Sequence, residues 1–413
     1  MRTKHRSKRR KFKRESEVTS KTRRFVDEAL VPTDLVFEIL MRLPSKSIAR
    51  FVYVSKLWAT IIRSRNFIRT FACQTSLRQP SLLYALPSLK FKNEQGKQIW
   101  NFFSSSSTST KEPSTYLAYT KCSIPHRARG SSNQYVNRFP HYVNGLISVI
   151  GPRQTQVICN PSIGKSITLP KVKSREKCIS SFFGYDPVDD QYKVLCMSET
   201  FHDYKNGSSS HEHQVFTLGG VDKSWRMIEC NILHRSKTNG LCINGVVYYG
   251  AWATVNSWRD EWCLARFDVR SEKFDQLVQF LGDHSPPPTS FLNPYLMSYK
   301  GKVTLAIEMR QRTFELWILE DAEKHEWSKI CFEINHPLIN SYCVRIMDVT
   351  NQLGEIMFSS PGRNPKDFYI IYYDQQKINS LRLEKIRGDS YKNFRRFHAM
   401  IPFFNYVESV MLL

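Results

Sequence analysis

The sequence predicts a small all-α unit of three helices followed by a large all-β domain, a six-bladed β-propeller-like fold. Three observations carry that expectation. First, the stretch "VPTDLVFEILMRLPSKSIARFVYVSKLWATII" from Val31 holds apolar residues at helical spacing, punctuated by Pro44 and Ser55. Second, the chain beyond Phe71 turns to short apolar runs broken by Gly, Pro, Asn and Asp, the signature of strands joined by tight turns. Third, those runs recur with a weak period of about 50 residues, as in kelch-like propellers.

Pro32 sits where a helix can begin, with Thr33 or Asp34 expected as its N-cap. Leu35 and Ile39 lie four apart, and Val36, Leu40 and Leu43 follow at i, i+4 and i+7, so both sets share one broad face. Pro44 ends this helix by pushing Leu43 out of the helical region. Ser45 is expected to cap a second helix with Ile48, Phe51 and Val52 on its face, and Ser55 a third with Trp58, Ile61 and Ile62. Arg63 and Arg65 follow, where cations suit the helix dipole. A unit below roughly 40 residues rarely stands without a metal, a disulfide or a partner. This one contains no cysteine and no metal-ligand pattern. Its apolar face therefore either docks on another protein or packs on the rest of this chain, and periodicity alone leaves both readings open.

In the β region "SLLYALPSL" reads as a strand and "NFFSSSSTSTKEPSTY" from Asn101 as a polar loop. Strands with tight turns follow, among them "HYVNGLISVI", "TQVICNPSIGKSITLP", "SSFFGYDPVDDQYKVLCMS", "GLCINGVVYYGAWA", "FELWILE" and "FYIIYYDQQKINSLRL". Asn144-Gly145, Asn244-Gly245 and Lys300-Gly301 supply turn chemistry. Each unit closes on a strand near Thr168, Arg226, Phe274, Ser328 and Asn379, at spacings of 58, 48, 54 and 51 residues. Four strands per unit stacked radially protect most strand edges. An irregular pair of β-sandwiches is the alternative. The organisation read from these patterns is a basic tail over 1–24, the helical unit over 28–70, the β domain over 80–390 and a C-terminal segment over 391–413.

The formal net charge is +23 over 413 residues, and residues 2–24 hold 12 Lys/Arg against two Glu, or +10 of it. That arm is too polar to bury a core and is expected to be disordered, a nuclear-import signal or a plain solvated tail. With Phe12 and Phe25 as its nearest aromatics, it is a poor stacking platform, and nucleic-acid binding is not the favoured reading. No apolar run is long enough for a membrane span and the basic N-terminus lacks a secretory hydrophobic segment, so a cytoplasmic or nuclear location is expected. Ten scattered cysteines without a C-x-x-C pair read as small buried apolar residues.

The frame Pro-x-Asp-Leu-x-x-x-Ile-Leu-x-x-Leu-Pro from Pro32, followed by "SIARFVYVSKLW", resembles the F-box. The resemblance implies a grip on the Skp-type adaptor of a cullin–RING ubiquitin ligase. Carried onto this chain, the adaptor-facing residues are Pro32, Leu35, Ile39, Leu40, Leu43, Pro44, Val54 and Trp58. Val31 replaces the usual Leu before the first proline, and Tyr53 stands where many plant members have Cys. The β region, through "VNGLISV", "VICNPSIGKSITLPK", "FFGYDPVDDQYKVLCM" and "LCINGVVYYGAWA", resembles the plant F-box-associated domain of type 3. That likeness implies a module that binds target proteins, without a residue code for them.

Other motifs weigh less. "NPSIGKS" lacks the first glycine of a phosphate loop, where Cys159 stands, so Pro161 to Gly164 reads as a β-turn. "HEH" at His211 to His213 offers two imidazoles with no third ligand nearby in sequence and reads as surface histidine. Asp186, Asp189 and Asp190 in "YDPVDDQY" read as a turn rather than an acid–base pair. Trp252, Trp258 and Arg259 are candidate target-binding residues on a propeller rim, with core packing of the tryptophans as the plainer alternative. "DHSPPPTSFLNP" reads as a rigid loop between blades. The expected function is a non-catalytic substrate-receptor subunit of an SCF-type ubiquitin ligase with no cofactor. The alternative is a basic nuclear propeller that binds nucleic acid.

Overall fold

The structure, a computed structural model, describes residues 31–77, 81–87, 97–106, 116–125, 140–150, 155–174, 178–199, 210–256, 259–280, 294–309, 313–334, 345–349, 355–359, 369–374, 380–385 and 401–411. The basic tail, Trp258 and the Pro286 to Pro288 run lie outside these residues. The chain divides into two compact units, 1–43 and 44–413.

The first unit contributes helix α1 (Thr33–Met41). Its N-cap is Pro32, whose φ of −53° and ψ of 146° place the helix boundary one residue before Thr33 and two before Asp34, the caps expected. No side chain caps it; Asp34 instead sits in the first turn, where its charge suits the dipole. Val36, Leu40 and Met41 are buried.

The second unit opens with α2 (Ser45–Phe51), α3 (Lys56–Arg63) and α4 (Arg65–Leu77). Pro44, not Ser45, caps α2. Ser55 does cap α3, its hydroxyl accepting from the Trp58 N–H at 3.1 Å. Ser64 joins α3 to α4 by donating to the Ile61 carbonyl at 2.7 Å and accepting from the Phe67 N–H at 3.2 Å. Helix α4 is an addition to the three expected. Its Thr, Phe and Cys are weak helix formers, and the fold overrides them by burying Phe67 and Phe71, one turn apart, with ring centroids 6.2 Å from each other.

Six antiparallel sheets then form the expected β-propeller. The first blade holds β1 (Ser81–Pro87), β2 (Lys97–Ser106) and β3 (Tyr116–Pro125). The second holds β4 (His141–Val143), β5 (Leu146–Ile150), β6 (Gln156–Asn160) and β7 (Lys165–Thr168). The third holds β8 (Cys178–Asp186), β9 (Gln191–Glu199), β10 (Ser210–Thr217) and β11 (Arg226–Ile228). The fourth holds β12 (His234–Ile243), β13 (Val246–Asn256), β14 (Arg259–Asp268) and β15 (Lys273–Phe274), with β16 (Val278–Gln279) also paired to β14. The fifth holds β17 (Tyr295–Tyr299), β18 (Lys302–Glu308), β19 (Thr313–Asp321) and β20 (Glu326–Glu333), and the sixth β21 (Arg345–Val349), β22 (Ile356–Ser359), β23 (Tyr369–Asp374) and β24 (Ser380–Lys385).

A last strand, β25 (Ile401–Tyr406), returns to the first blade and pairs antiparallel with β1, matching Leu83 to Phe403 and Ala85 to Ile401. The first blade is therefore ordered β25-β1-β2-β3, and the segment set apart at 391–413 supplies a strand of the propeller. The same blade corrects a second expectation. Asn101 to Ser106, read as polar loop, belongs to β2, because β1 and β3 flank it and satisfy its backbone on both sides whatever its side chains.

The leading strands β4, β8, β12, β17, β21 and β25 contact one another in turn. Tyr142 of β4 completes the ring, with its centroid 6.2 Å from Phe403 and 5.7 Å from Tyr406 of β25. The chain after β25 is held down as well. Asn160 Nδ2 donates to the Ser409 and Met411 carbonyls at 3.0 and 2.9 Å, and the Val407 N–H donates to Tyr142 Oη at 2.7 Å. Gly145, at φ +86°, lies beneath this run; a Cβ there would stand 2.5 Å from the Ser409 side chain.

Near the propeller axis β12 approaches so closely that a Cβ on Gly240 would lie 2.6 Å from the Phe182 ring and 2.9 Å from His141. His141 is buried against Phe182, edge to face at 5.5 Å, and burial lowers its pKa from 6.5 to about 4 despite a backbone hydrogen bond at Gly240. The fold thus tolerates the neutral imidazole. The unfolded chain protonates near 6.5, so this stability is complete above that pH and is lost as pH falls towards 4, by roughly 3 kcal/mol in all. Denaturant unfolding of His141→Gln at pH 7 and pH 4.5 should show a smaller acid loss than the natural chain; equal losses would remove His141 as the cause.

Candidate functional site

The structure sorts the sequence-predicted residues of the helical segment into two groups. On α1, Leu35 and Ile39 are 50% and 46% exposed, Pro32 and Pro44 are exposed, and Leu43 is half-buried. Leu40 is 0% exposed. It therefore supports its helix from within and lends no surface, because the i, i+4 and i+5 positions Val36, Leu40 and Met41 form the buried stripe while Leu35 and Ile39 sit on the outward one. In the second unit Val54 is 60% exposed and Trp58 is half-buried, its ring 5.0 Å from Phe51. Sequence reasoning did not select Tyr53, 86% exposed, or Leu57, also exposed. Both flank the Ser55 cap, Tyr53 in the turn before it and Leu57 in the first turn of α3; an apolar pair on either side of a cap was the available signal.

Helices α2 and α4 meet one face of the propeller. Ser45 Oγ donates to the Ser162 carbonyl at 3.4 Å, in the β6–β7 turn, and Thr75 Oγ1 donates to the Glu408 carbonyl at 3.4 Å, just past β25. Strands alternate in direction within each blade, so this face carries the first-to-second and third-to-fourth turns. The opposite face carries the second-to-third connections and the crossings between blades. Strands β13 and β14, which carry the candidates Trp252 and Arg259, are joined on that opposite face, and Trp258 lies outside the described residues. Trp252 packs edge to face on the buried Trp262, centroids 5.8 Å apart, at the border of a core cluster with Leu264 and Trp317. Arg259 is placed at the start of β14, opposite Asn256.

The remaining motifs resolve into structure. Pro161 to Gly164 is the β6–β7 turn, with the Ser162 N–H donating to Asn160 Oδ1 at 3.0 Å and Gly164 at φ +72°. Asp186 Oδ1 accepts from the Val188 and Asp189 N–H groups at 2.9 and 3.3 Å, so "YDPVDDQY" is a turn. His213 departs from expectation: it is buried, on β10 between β9 and β11, because its side alternates into the sheet interior. Among the described residues no two cysteines form a disulfide; Cys122, Cys159, Cys196 and Cys263 are buried, as their scatter suggested, while Cys73 and Cys331 are exposed. No described helix is long and apolar enough to cross a membrane.

Residues 30–70 match the F-box domain model, and residues 88–407 match the F-box associated beta propeller domain model. The chain belongs to the F-box proteins. The putative F-box protein At1g31000 of Arabidopsis thaliana is 47% identical over 408 residues, 96% of this chain and 98% of that protein. The F-box protein At4g11590 of the same plant is 40% identical over 93% of each chain. Among solved structures, the β-propeller domain of the Trilobed protease from Pyrococcus furiosus aligns at a TM-score of 0.36 and 8% identity, over 75% of this chain and 81% of that one, too weak a likeness to carry any argument. An F-box domain implies binding to a Skp-type adaptor in general.

The two groups on α1 separate in stability. Leu40→Ala should cost about 2–5 kcal/mol as a buried truncation, whereas Leu35→Ala should stay within about 0.5 kcal/mol. Thermal unfolding of the two variants checks this, and similar losses would contradict the assignment of the buried and outward stripes.

Proposed function

We propose that this F-box protein is a substrate-receptor subunit of an SCF-type cullin–RING ubiquitin ligase, in which the F-box holds the Skp-type adaptor and the propeller holds a target protein. The observation that carries this reading is the exposure of Leu35 and Ile39 on α1 and of Tyr53, Val54 and Leu57 beside α3. Outward aliphatic and aromatic side chains on short helices cost free energy in water and are repaid by a partner that buries them.

The chain's part in the reaction is positional. A bound target held beside a charged ubiquitin carrier reacts at high effective concentration, and no side chain of the receptor needs to take or give a proton. The surface proposed for the target is the propeller face away from α2 and α4, where the second-to-third connections and blade crossings gather; loops on a rigid scaffold are the usual place for recognition. Trp252, Trp258 and Arg259 are the proposed contributors to target binding, Trp252 and Arg259 lying on the two strands β13 and β14.

Full-length chain carrying Leu35→Lys with Ile39→Lys, or Val54→Lys alone, should lose at least ~30-fold in affinity for the adaptor, since central interface residues are worth about 2 kcal/mol or more. Circular dichroism of each variant should match the natural chain, and capture of propeller-bound targets should persist. Undiminished adaptor binding in both variants would sink the reading.

A further inference from the structure

On the propeller face away from the helices, three soft ligand groups from separate segments converge. His213 lies on β10, Cys230 just past β11 and His234 at the start of β12, so the group straddles the crossing from the third blade to the fourth. One ligand atom from each lies within 4.8 Å of the other two. Both imidazoles are buried, with ring centroids 5.6 Å apart, and Phe274 walls them in at 5.1 and 5.6 Å.

We propose that His213, Cys230 and His234 form a transition-metal site that clasps the third blade to the fourth, with zinc(II) as its occupant. A thiolate with two imidazoles is a donor set suited to zinc, and three protein ligands leave the fourth tetrahedral position to water or an incoming group.

The hydrogen bonds around His234 prepare it for this role. Its Nδ1 lies 2.8 Å from the Ile232 carbonyl, which can only accept, so Nδ1 carries the proton and Nε2 presents a lone pair. Ligating histidines are commonly oriented in this way by a backbone carbonyl. Nε2 accepts from Tyr249 Oη at 2.5 Å, and the same hydroxyl lies 3.2 Å from Met197 Sδ. A cation taking Nε2 therefore displaces one hydrogen bond, and the freed hydroxyl already has a sulfur acceptor in reach. The Cys230 thiol loses its proton to solvent as the metal–sulfur bond forms. No redox step is involved.

The test uses the full-length chain, loaded with zinc or cobalt(II), desalted, and read by elemental analysis and absorption. The natural chain should retain about one zinc per molecule and show a thiolate-to-cobalt charge-transfer band. Cys230→Ser and His213→Gln should lower zinc retention at least ~10-fold, and Cys230→Ser should abolish the band. Cys331→Ser, at an exposed thiol, should change neither. Tyr249→Phe keeps all three ligands and removes the competing hydroxyl, so it guards against a trivial folding loss and should retain the metal. Zinc in the natural chain no higher than in Cys230→Ser, a band that survives Cys230→Ser, or a loss in Tyr249→Phe equal to that in Cys230→Ser would each overturn the proposal. Adaptor binding plays no part in these readings, so they stand or fall apart from the ligase role.

Discussion

The pairing of β25 with β1 is the constraint on which the propeller depends. A radial array of sheets has no covalent closure, and without a return strand the first blade would present β1 as an open edge beside the axis. Here the backbone ladder from Leu83–Phe403 to Ala85–Ile401 fills that edge, and the Tyr142 contacts with Phe403 and Tyr406 bring β25 against β4. Asn160, Tyr142 and Ser162 then anchor the chain beyond the strand, the Ser409 N–H donating to Ser162 Oγ at 3.0 Å. Residues more than 300 positions apart in the 413-residue sequence thus complete one sheet, and the loop-closure entropy of joining them is offset by a ring of cooperative contacts.

That closure also ties the helices to the propeller. Helix α4 leads almost directly into β1, and Thr75 reaches the carbonyl of Glu408 just past β25, so the end of the helical segment and the seam of the ring share a hydrogen bond. Ser45 at the start of α2 touches the neighbouring β6–β7 turn. Helices that would be marginal alone gain a rigid floor. Their outward side chains Tyr53, Val54 and Leu57 are not needed for that floor, which frees them for a partner.

The propeller divides its two faces by loop type. Tight turns such as Asn144-Gly145, with both residues at positive φ (44° and 86°), crowd the face that receives α2 and α4. Blade crossings gather on the other face, and there the His213, Cys230 and His234 group and the Trp252–Trp262 pair lie close beneath the connections. Loops held on a rigid scaffold are the usual place for a fold to vary its chemistry.

The sequence by itself determined the helical segment, its Ser55 cap, the two-residue turns and the order of blades. The closing strands read near Thr168, Arg226, Phe274 and Ser328 are β7, β11, β15 and β20, and the one read near Asn379, itself outside the described residues, is β24, which begins at Ser380. Apolar alternation and Asn-Gly chemistry are local signals, and a stacked repeat writes them at a regular interval. The first blade escaped because its strands come from both ends of the chain, leaving no period, and because Asn101 to Ser106 becomes strand through backbone pairing alone. Only the tertiary structure decided that Leu40 faces inward while Leu35 and Ile39 face out, and that His213 meets Cys230 and His234. A residue's side of a helix follows from its spacing, but which side is covered, and what a strand meets across a blade boundary, depend on partners far away in the chain.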